Sequence, residues 1–255
     1  MYDLEVENLK SVLYQQKIQP YFQNIVDENK NIVGVEVLAR WVESEDVVFL
    51  PHFFIDKFEK KGLLVEFTCS LIEQVIGVIS NQYDKVNINN DFYVCINITE
   101  DVLADFKFKT YIRHLSSYCH VVLELTEKNS IICSNCVRND IQELYSDRIK
   151  FAIDDYGTDN STLLLLYEYQ FDILKLDKYF VSSLFDSSFF ELNNKRKLII
   201  KNIIDLCHNL GVRLIVEGIE TQSQETLLKD MGVKFFQGYL YSRPSKTMGL
   251  FSKII

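Results

Sequence analysis

Three prolines and nine glycines in 255 residues are too few for a flexible linker. No Gly/Ser-rich or Pro-rich stretch divides the chain, and no low-complexity tract marks a disordered arm. The N-terminal segment MYDLEVENLK has no basic region followed by an apolar one, so no secretory signal is expected. No run is expected to reach the roughly 18 apolar residues that span a bilayer. Several catalytic signatures are missing as well: there is no GxSxG, no P-loop, no GxGxxG and no HExxH. Positive charge is in deficit, with 27 Lys and Arg against 36 Asp and Glu and a net charge of −9. Duplex nucleic acid is bound largely by neutralising phosphates, so an acidic chain is not expected to be a general binder of it. Six cysteines are scattered, and only Cys133 and Cys136 form a CxxC. Without a second pair of ligands this motif does not make a zinc site. These absences predict one domain over residues 1–255, cytoplasmic and not membrane-bound. Any phosphate it handles must be met locally, by metal ions or a few placed cations.

What is present is a large apolar fraction, 47% of residues, in a length that suits one α/β barrel or two small domains. Short apolar, β-branched runs fall at Pro20–Val26, Ile32–Trp41, Phe92–Ile98, His120–Thr126, Lys150–Asp154, Asp172–Asp177, Val212–Glu217 and Lys234–Leu240. Helical spacing separates most of them, as in Leu64–Ile79 and Leu198–Leu210. Thr99 reads as a helix N-cap, Thr221 and Gln224 as a capping box, and Gly232 as a helix stop. The polar DENKN between the first two runs has no room for a helix, so a hairpin is expected there. Beyond it, alternation with helices argues for parallel pairing. The predicted fold is a TIM-like (β/α)8 barrel with an irregular, antiparallel first strand; an open doubly wound sheet is the alternative.

In a barrel of this kind the chemistry collects where strands end. Those ends carry Glu36 and Arg40, Asn97, Glu124 and Glu127, Asp154 and Asp155, Lys175 and Asp177, Glu217 and Glu220, and Gln237. The period of two puts Glu36 and Arg40 on one strand face, and Lys175 and Asp177 on another. Singly, each of these could be a helix cap or an ion pair. Four or more carboxylates at one mouth are different, because they repel and desolvate each other unless cations lie between them. Hard oxygen donors, with one Asn carbonyl among them, suit Mg²⁺ or Mn²⁺. The adjacent Asp154 and Asp155 are suited to bridging two ions, as two-metal phosphodiester cleavage requires. The histidines His52, His114, His120 and His208 lie away from the strand ends and read as surface or packing residues.

Taken in order from Gln19-Pro20 to Arg243-Pro244, these motifs resemble those of the EAL-domain cyclic di-GMP phosphodiesterases. The signature tripeptide is here Glu36-Val37-Leu38. The loop usually read as DDFGTGYSS is DDYGTDNST, with Tyr156, Asp159 and Asn160 as departures. The resemblance implies metal-dependent hydrolysis of cyclic di-GMP to linear pGpG with two Mg²⁺ or Mn²⁺ ions, inhibited by Ca²⁺. It implies Glu36, Asn97, Glu124 and Asp154 as ligands of one ion, and Asp154, Asp155 and Glu217 around the other. It assigns Lys175 to the attacking water, Gln237 to that water or the phosphate, Gln19 and Arg40 to the substrate, and Pro244 to a guanine pocket. Glu127 and Glu220 are implied to anchor the loop after the fifth strand, with Asp177 the acidic residue beside Lys175. A homodimer is expected. Two other readings stand beside it: an EAL-like receptor or interaction module without turnover, and an unrelated metal-dependent barrel enzyme.

Overall fold

The computed structural model describes residues 5–83, 91–126, 135–157, 162–184 and 190–247. Helix α1 (Val6–Tyr14) precedes a hairpin of β1 (Ile18–Asp27) and β2 (Ile32–Ser44), and a short strand β3 (Val47–Phe49) folds back on β2. A 3-10 turn, Pro51–Phe53, leads to α2 (Ile55–Lys60), α3 (Leu64–Tyr83) and β4 (Tyr93–Ile98). Strands and helices then alternate: α4 (Glu100–Ala104), α5 (Phe106–Leu115), β5 (His120–Thr126), α6 (Asn135–Leu144), β6 (Ile149–Tyr156), α7 (Thr162–Glu168), β7 (Ile173–Leu176), α8 (Lys178–Leu184), α9 (Phe190–Leu210), β8 (Arg213–Val216), α10 (Gln222–Asp230) and β9 (Phe235–Gln237).

β2 and β4 to β9 run parallel to their neighbours, and β1 pairs antiparallel with both β2 and β9. The sheet therefore closes on itself as a barrel, with β3 outside the ring. This is the expected TIM-like architecture, with its antiparallel member at β1.

The strand sequences explain the closure. Helices cover the outside and side chains fill the bore, so β4 and β7 are buried almost without interruption. The bore is filled by Ile25, Tyr93, Cys95, Val122, Ala152, Ile173 and Ile215. Residues on the outer strand faces, such as Val94, Val121 and Leu174, pack under the helices. The local signals act where the sequence places them. Thr99 accepts a hydrogen bond from the Val102 N–H at the start of α4. Thr221 and Gln224 serve each other's backbone N–H groups at the start of α10. Gly232, at φ 104°, follows the last turn of α10.

Several expectations are corrected. The last strand is shorter than residues 234–240, because the chain turns away after Gln237 to cross the barrel rim. The helices predicted over 64–79 and 198–210 are longer; α1 was passed over although Leu9, Val12 and Leu13 fall at helical spacing, and β3 carries no alternation. Leu64–Asn81 of α3 is also long and apolar enough to cross a membrane by length and composition, contrary to expectation. Its residues Phe67, Leu71, Ile72, Val75 and Ile79 are buried, however, and the helix packs on α5 and β1.

Candidate active site

At the C-terminal mouth, nearly every barrel strand delivers one polar side chain inward. Period two carries the bore residues Tyr93 and Cys95 of β4 on to Asn97, and β5 places Glu124 directly beside Asn97 in register. β2 supplies Glu36, opposite Gln23 of β1. β6 supplies Asp154, β7 Lys175 and β9 Gln237. Glu217 follows β8, where its N–H donates to the Leu176 carbonyl at 3.0 Å and so extends the parallel ladder by one residue.

Lys175 stands at the centre, completely buried. Its Nζ lies 2.7 Å from Glu217 Oε1, 3.0 Å from Glu124 Oε1, 3.0 Å from Asp154 Oδ1 and 3.4 Å from Glu36 Oε2. Glu36 is tied further: Asn97 Nδ2 donates to its Oε1 at 3.0 Å, and Gln237 Nε2 to its Oε2 at 2.5 Å. Gln237 also reaches Gln23 Oε1 at 3.4 Å, and Gln23 donates to the Ser242 carbonyl at 3.1 Å. These amides brace the carboxylate wall against the chain that follows β9. Gly238 makes the bracing possible, since a Cβ there would sit 2.1 Å from the Ile219 carbonyl oxygen.

Asp155 adds a further carboxylate through a break in the strand. Adjacent residues of a regular strand face opposite ways. The β6–β7 register shifts between Ile153 and Tyr156, and Asp155 takes φ 54°. The bulge re-aims the second carboxylate. One oxygen each from Asp154, Asp155 and Glu217 then lies within 4.8 Å of the others.

The electrostatics do not balance within the protein. Four carboxylates surround one ammonium, a surplus of three negative charges in a buried setting. Burial pushes the Glu217 carboxyl up to about 8; Lys175 pulls it down, while Asp154 and Glu36 drive it further up. Burial likewise pushes Glu124 well above the usual carboxylate range, against the pull of Lys175 and with the push of Glu36, Asp154 and Glu217. For Lys175, burial acts to release the proton, but the ring of carboxylates outweighs it and holds the ammonium charged. Neither Glu124 oxygen accepts a well-formed hydrogen bond, and neither does Asp154 Oδ1. Unpaired buried acceptors with excess negative charge and an amide oxygen nearby form a donor set for hard divalent cations. The residues present fit Mg²⁺ or Mn²⁺.

Around this centre, Gln19 and Arg40 face each other across the hairpin. Arg40 is half-buried, stacked 5.7 Å over the Tyr21 ring, and makes no ion pair among the described residues. Pro244 lies between Arg243, stacked 4.3 Å over Tyr239, and Ser245, which exchanges backbone hydrogen bonds with Phe22. Asp177 does not join Lys175: it lies past the end of β7 and caps α8, accepting from the Tyr179 N–H at 2.8 Å. Glu220 sits at the rim, its N–H held by Gln224 at 2.7 Å. Glu127, Cys133, Asp159 and Asn160 lie outside the described residues, and so does the anchoring role expected of Glu127. Of the histidines, His120 and His208 line the opposite end of the barrel. Sequence reasoning passed over Gln23 and Ser242. For Gln23 a signal existed, because it shares Gln19's face of the first strand.

The EAL domain family profile matches residues 6–244. The chain is 31% identical over 244 residues to the cyclic di-GMP phosphodiesterase PdeL of Escherichia coli (strain K12), covering 93% of this chain and 65% of that protein. It is 30% identical over 247 residues to the probable cyclic di-GMP phosphodiesterase PdeB of the same strain, covering 92% and 44%. The chain thus spans less than two thirds of these relatives. Among solved structures, the EAL enzyme Bd1971 in its cAMP- and cyclic-di-GMP-bound form superposes with a TM-score of 0.82 at 27% identity, over 95% of this chain and 66% of that one.

Proposed function

The chain belongs to the EAL-domain family, and from that premise we propose that it hydrolyses cyclic di-GMP to linear pGpG with two divalent cations, Mg²⁺ or Mn²⁺. The observation that carries this reading is the buried ring of Glu36, Glu124, Asp154 and Glu217 around Lys175, with Asp155 turned toward it. Glu36, Asn97, Glu124 and Asp154 would hold one ion, and Asp154, Asp155 and Glu217 the other. Bound there, the cations supply Lewis acidity, making water nucleophilic near neutral pH and offsetting charge on the phosphate.

The chain's own groups do the rest. The Lys175 ammonium, fixed by its carboxylates, donates to the attacking water and orients it toward phosphorus. The Gln237 amide, held against Glu36, sets the other side of that water or the phosphate. Arg40, free of a carboxylate partner among the described residues, pairs with a phosphate oxygen, with Gln19 beside it. Pro244 borders a guanine. Glu127, Glu220 and Asp177 hold the loops around the mouth. In-line attack of the water oxygen on phosphorus breaks the bond to the ribose 3′ oxygen, and the proton that the water gives up ends on that leaving oxygen.

The reading extends to a single 1–255 unit working in the cytoplasm as a homodimer. Exposed Leu164 and Tyr167 on α7 and Tyr179 on α8, near the mouth, support such pairing. The deciding experiment incubates purified protein with cyclic di-GMP and Mg²⁺ or Mn²⁺ and follows pGpG. Turnover in either metal, suppressed by Ca²⁺, is expected, because Ca²⁺ is larger and coordinates loosely. Binding of cyclic di-GMP without turnover in either metal would leave a receptor module and overturn the hydrolase.

A further inference from the structure

The N-terminal end of the barrel, opposite the carboxylate ring, opens into a cavity of about 900 Å³, a size typical of small-molecule sites. Its floor is the bottom layer of the bore. The Tyr93 and Phe235 rings lie there with the Arg213 guanidinium over both, 5.4 and 4.6 Å from their centroids. Tyr93 needs Gly34 opposite it, because a Cβ at that position would come within 2.7 Å of its ring and its carbonyl oxygen.

Two features of this floor are unexplained by folding alone. The Tyr93 side chain is only 3% exposed, and among the described residues its hydroxyl makes no well-formed hydrogen bond, the Arg213 guanidinium being the donor beside it. Leaving a buried hydroxyl unpaired costs about 1–3 kcal/mol, which a phenylalanine would avoid. Among the described residues Arg213, for its part, forms no ion pair, and neither does Lys234 at the same rim. Lys150, by contrast, faces Asp172 at 3.7 Å and the Tyr145 hydroxyl at 3.1 Å. A stacked, planar guanidinium without a carboxylate is a preformed fork for an oxyanion. Asp91 and Asp147 also line the cavity, which disfavours a polyanion and limits the ligand to low charge.

We propose that this mouth is a second ligand site, taking a small organic phosphate or carboxylate. Its oxyanion pairs with Arg213 and accepts from the Tyr93 hydroxyl. Its apolar body rests on Ile173, Val212 and Val233, which line the same cavity. The site lies on the far side of the bore from the metal ligands and does not depend on the phosphodiesterase reading.

Calorimetric titration of the full chain with adenosine 5′-monophosphate and with benzoate separates the phosphate source from the carboxylate source. Saturable binding of at least one probe is expected. Arg213→Ala should weaken it about tenfold or more, and Arg213→Lys nearly as much, because a lysine lacks the bidentate fork. Tyr93→Phe should weaken it by a few fold while leaving folding intact. Saturating cyclic di-GMP with Ca²⁺ should leave the probe's affinity unchanged. No binding of either probe at millimolar concentration would overturn the site. So would wild-type affinity in Arg213→Lys and Tyr93→Phe, or displacement by cyclic di-GMP.

Discussion

At the scale of single residues, Asp155 pays a conformational penalty to reach the mouth. Left-handed backbone costs a residue with a Cβ about 1 kcal/mol, and Asp tolerates it better than most. At φ 54°, Asp155→Gly should therefore be more stable than Asp155→Ala by about 1 kcal/mol, and both should lose activity. A thermal melt of the three proteins checks this; an Ala variant as stable as the Gly variant would remove the strain from the account. Lys175 makes a different prediction. Lys175→Ala should lose about 10² or more in turnover, as loss of a positioned catalytic group does, yet still bind Mn²⁺. Glu36→Ala should lose metal and turnover together. Metal content and pGpG formation, measured on both variants, separate a residue that acts on water from one that holds the ion. Glu36, Glu124 and Asp154 were legible because each is an acid set in an otherwise apolar run. The use of Asp155 was half legible: adjacency to Asp154 was visible, but the bulge that turns both toward one mouth depends on pairing with β7. Gln23 was passed over because a glutamine in a hairpin strand looks like its wet face, and only closure by β9 makes that face internal.

At the scale of elements, the joint between α10 and the β1–β2 turn sets an acid limit. Glu225 of α10 is completely buried, with Lys229 Nζ at 2.7 Å, Lys30 Nζ at 3.7 Å and the Gln222 amide donating to it. Burial pushes its carboxyl up, but the hydrogen bonds from Lys229 and Gln222 outweigh this and hold it below the ordinary value. A carboxyl depressed in the folded state stabilises the protein above its unfolded pKa, 4.5 as the ordinary value, and loses that contribution as pH falls through the folded one. The stability gap between wild type and Glu225→Gln should thus be widest near neutral pH and shrink below about 4.5. A gap that stays constant from pH 7 to 3 would show that ionisation of Glu225 contributes nothing. The start of the same helix tests a local device: Thr221→Ala should cost about 1 kcal/mol by denaturant unfolding. That capping box was legible because its partners are three positions apart. The burial of Glu225 was not: its pairing with Lys229, four positions on, looks like a surface pair, and Lys30, from the other end of the chain, covers it only once the barrel has closed.

At the scale of the molecule, closure of the barrel brings acids from separate strands to a common opening, so folding and cation binding are coupled. The alternation of apolar runs and helical spacing made the ring of strands legible. β3 was not legible, because its exposed residues carry no alternation. Neither was the exact length of β9, which ends where Gly238 meets the Ile219 carbonyl. What the pattern of acids implies for stability follows from their surplus charge. Folding without metal crowds four buried carboxylates around the one ammonium of Lys175, and keeping them ionised there opposes the native state. A cation that binds only the folded ring stabilises it by about 2.7 kcal/mol at one hundred times its Kd. For a domain of this size that is a rise of about 5–10 °C in Tm. Mn²⁺ or Mg²⁺ should produce it and a chelator reverse it, whereas NaCl at equal ionic strength should not, because screening reaches buried charges poorly. In Glu36→Ala the rise should shrink or vanish. If wild-type Tm is indifferent to every divalent ion at millimolar concentration, the gathered carboxylates are not a metal centre, and the hydrolytic reading fails with them.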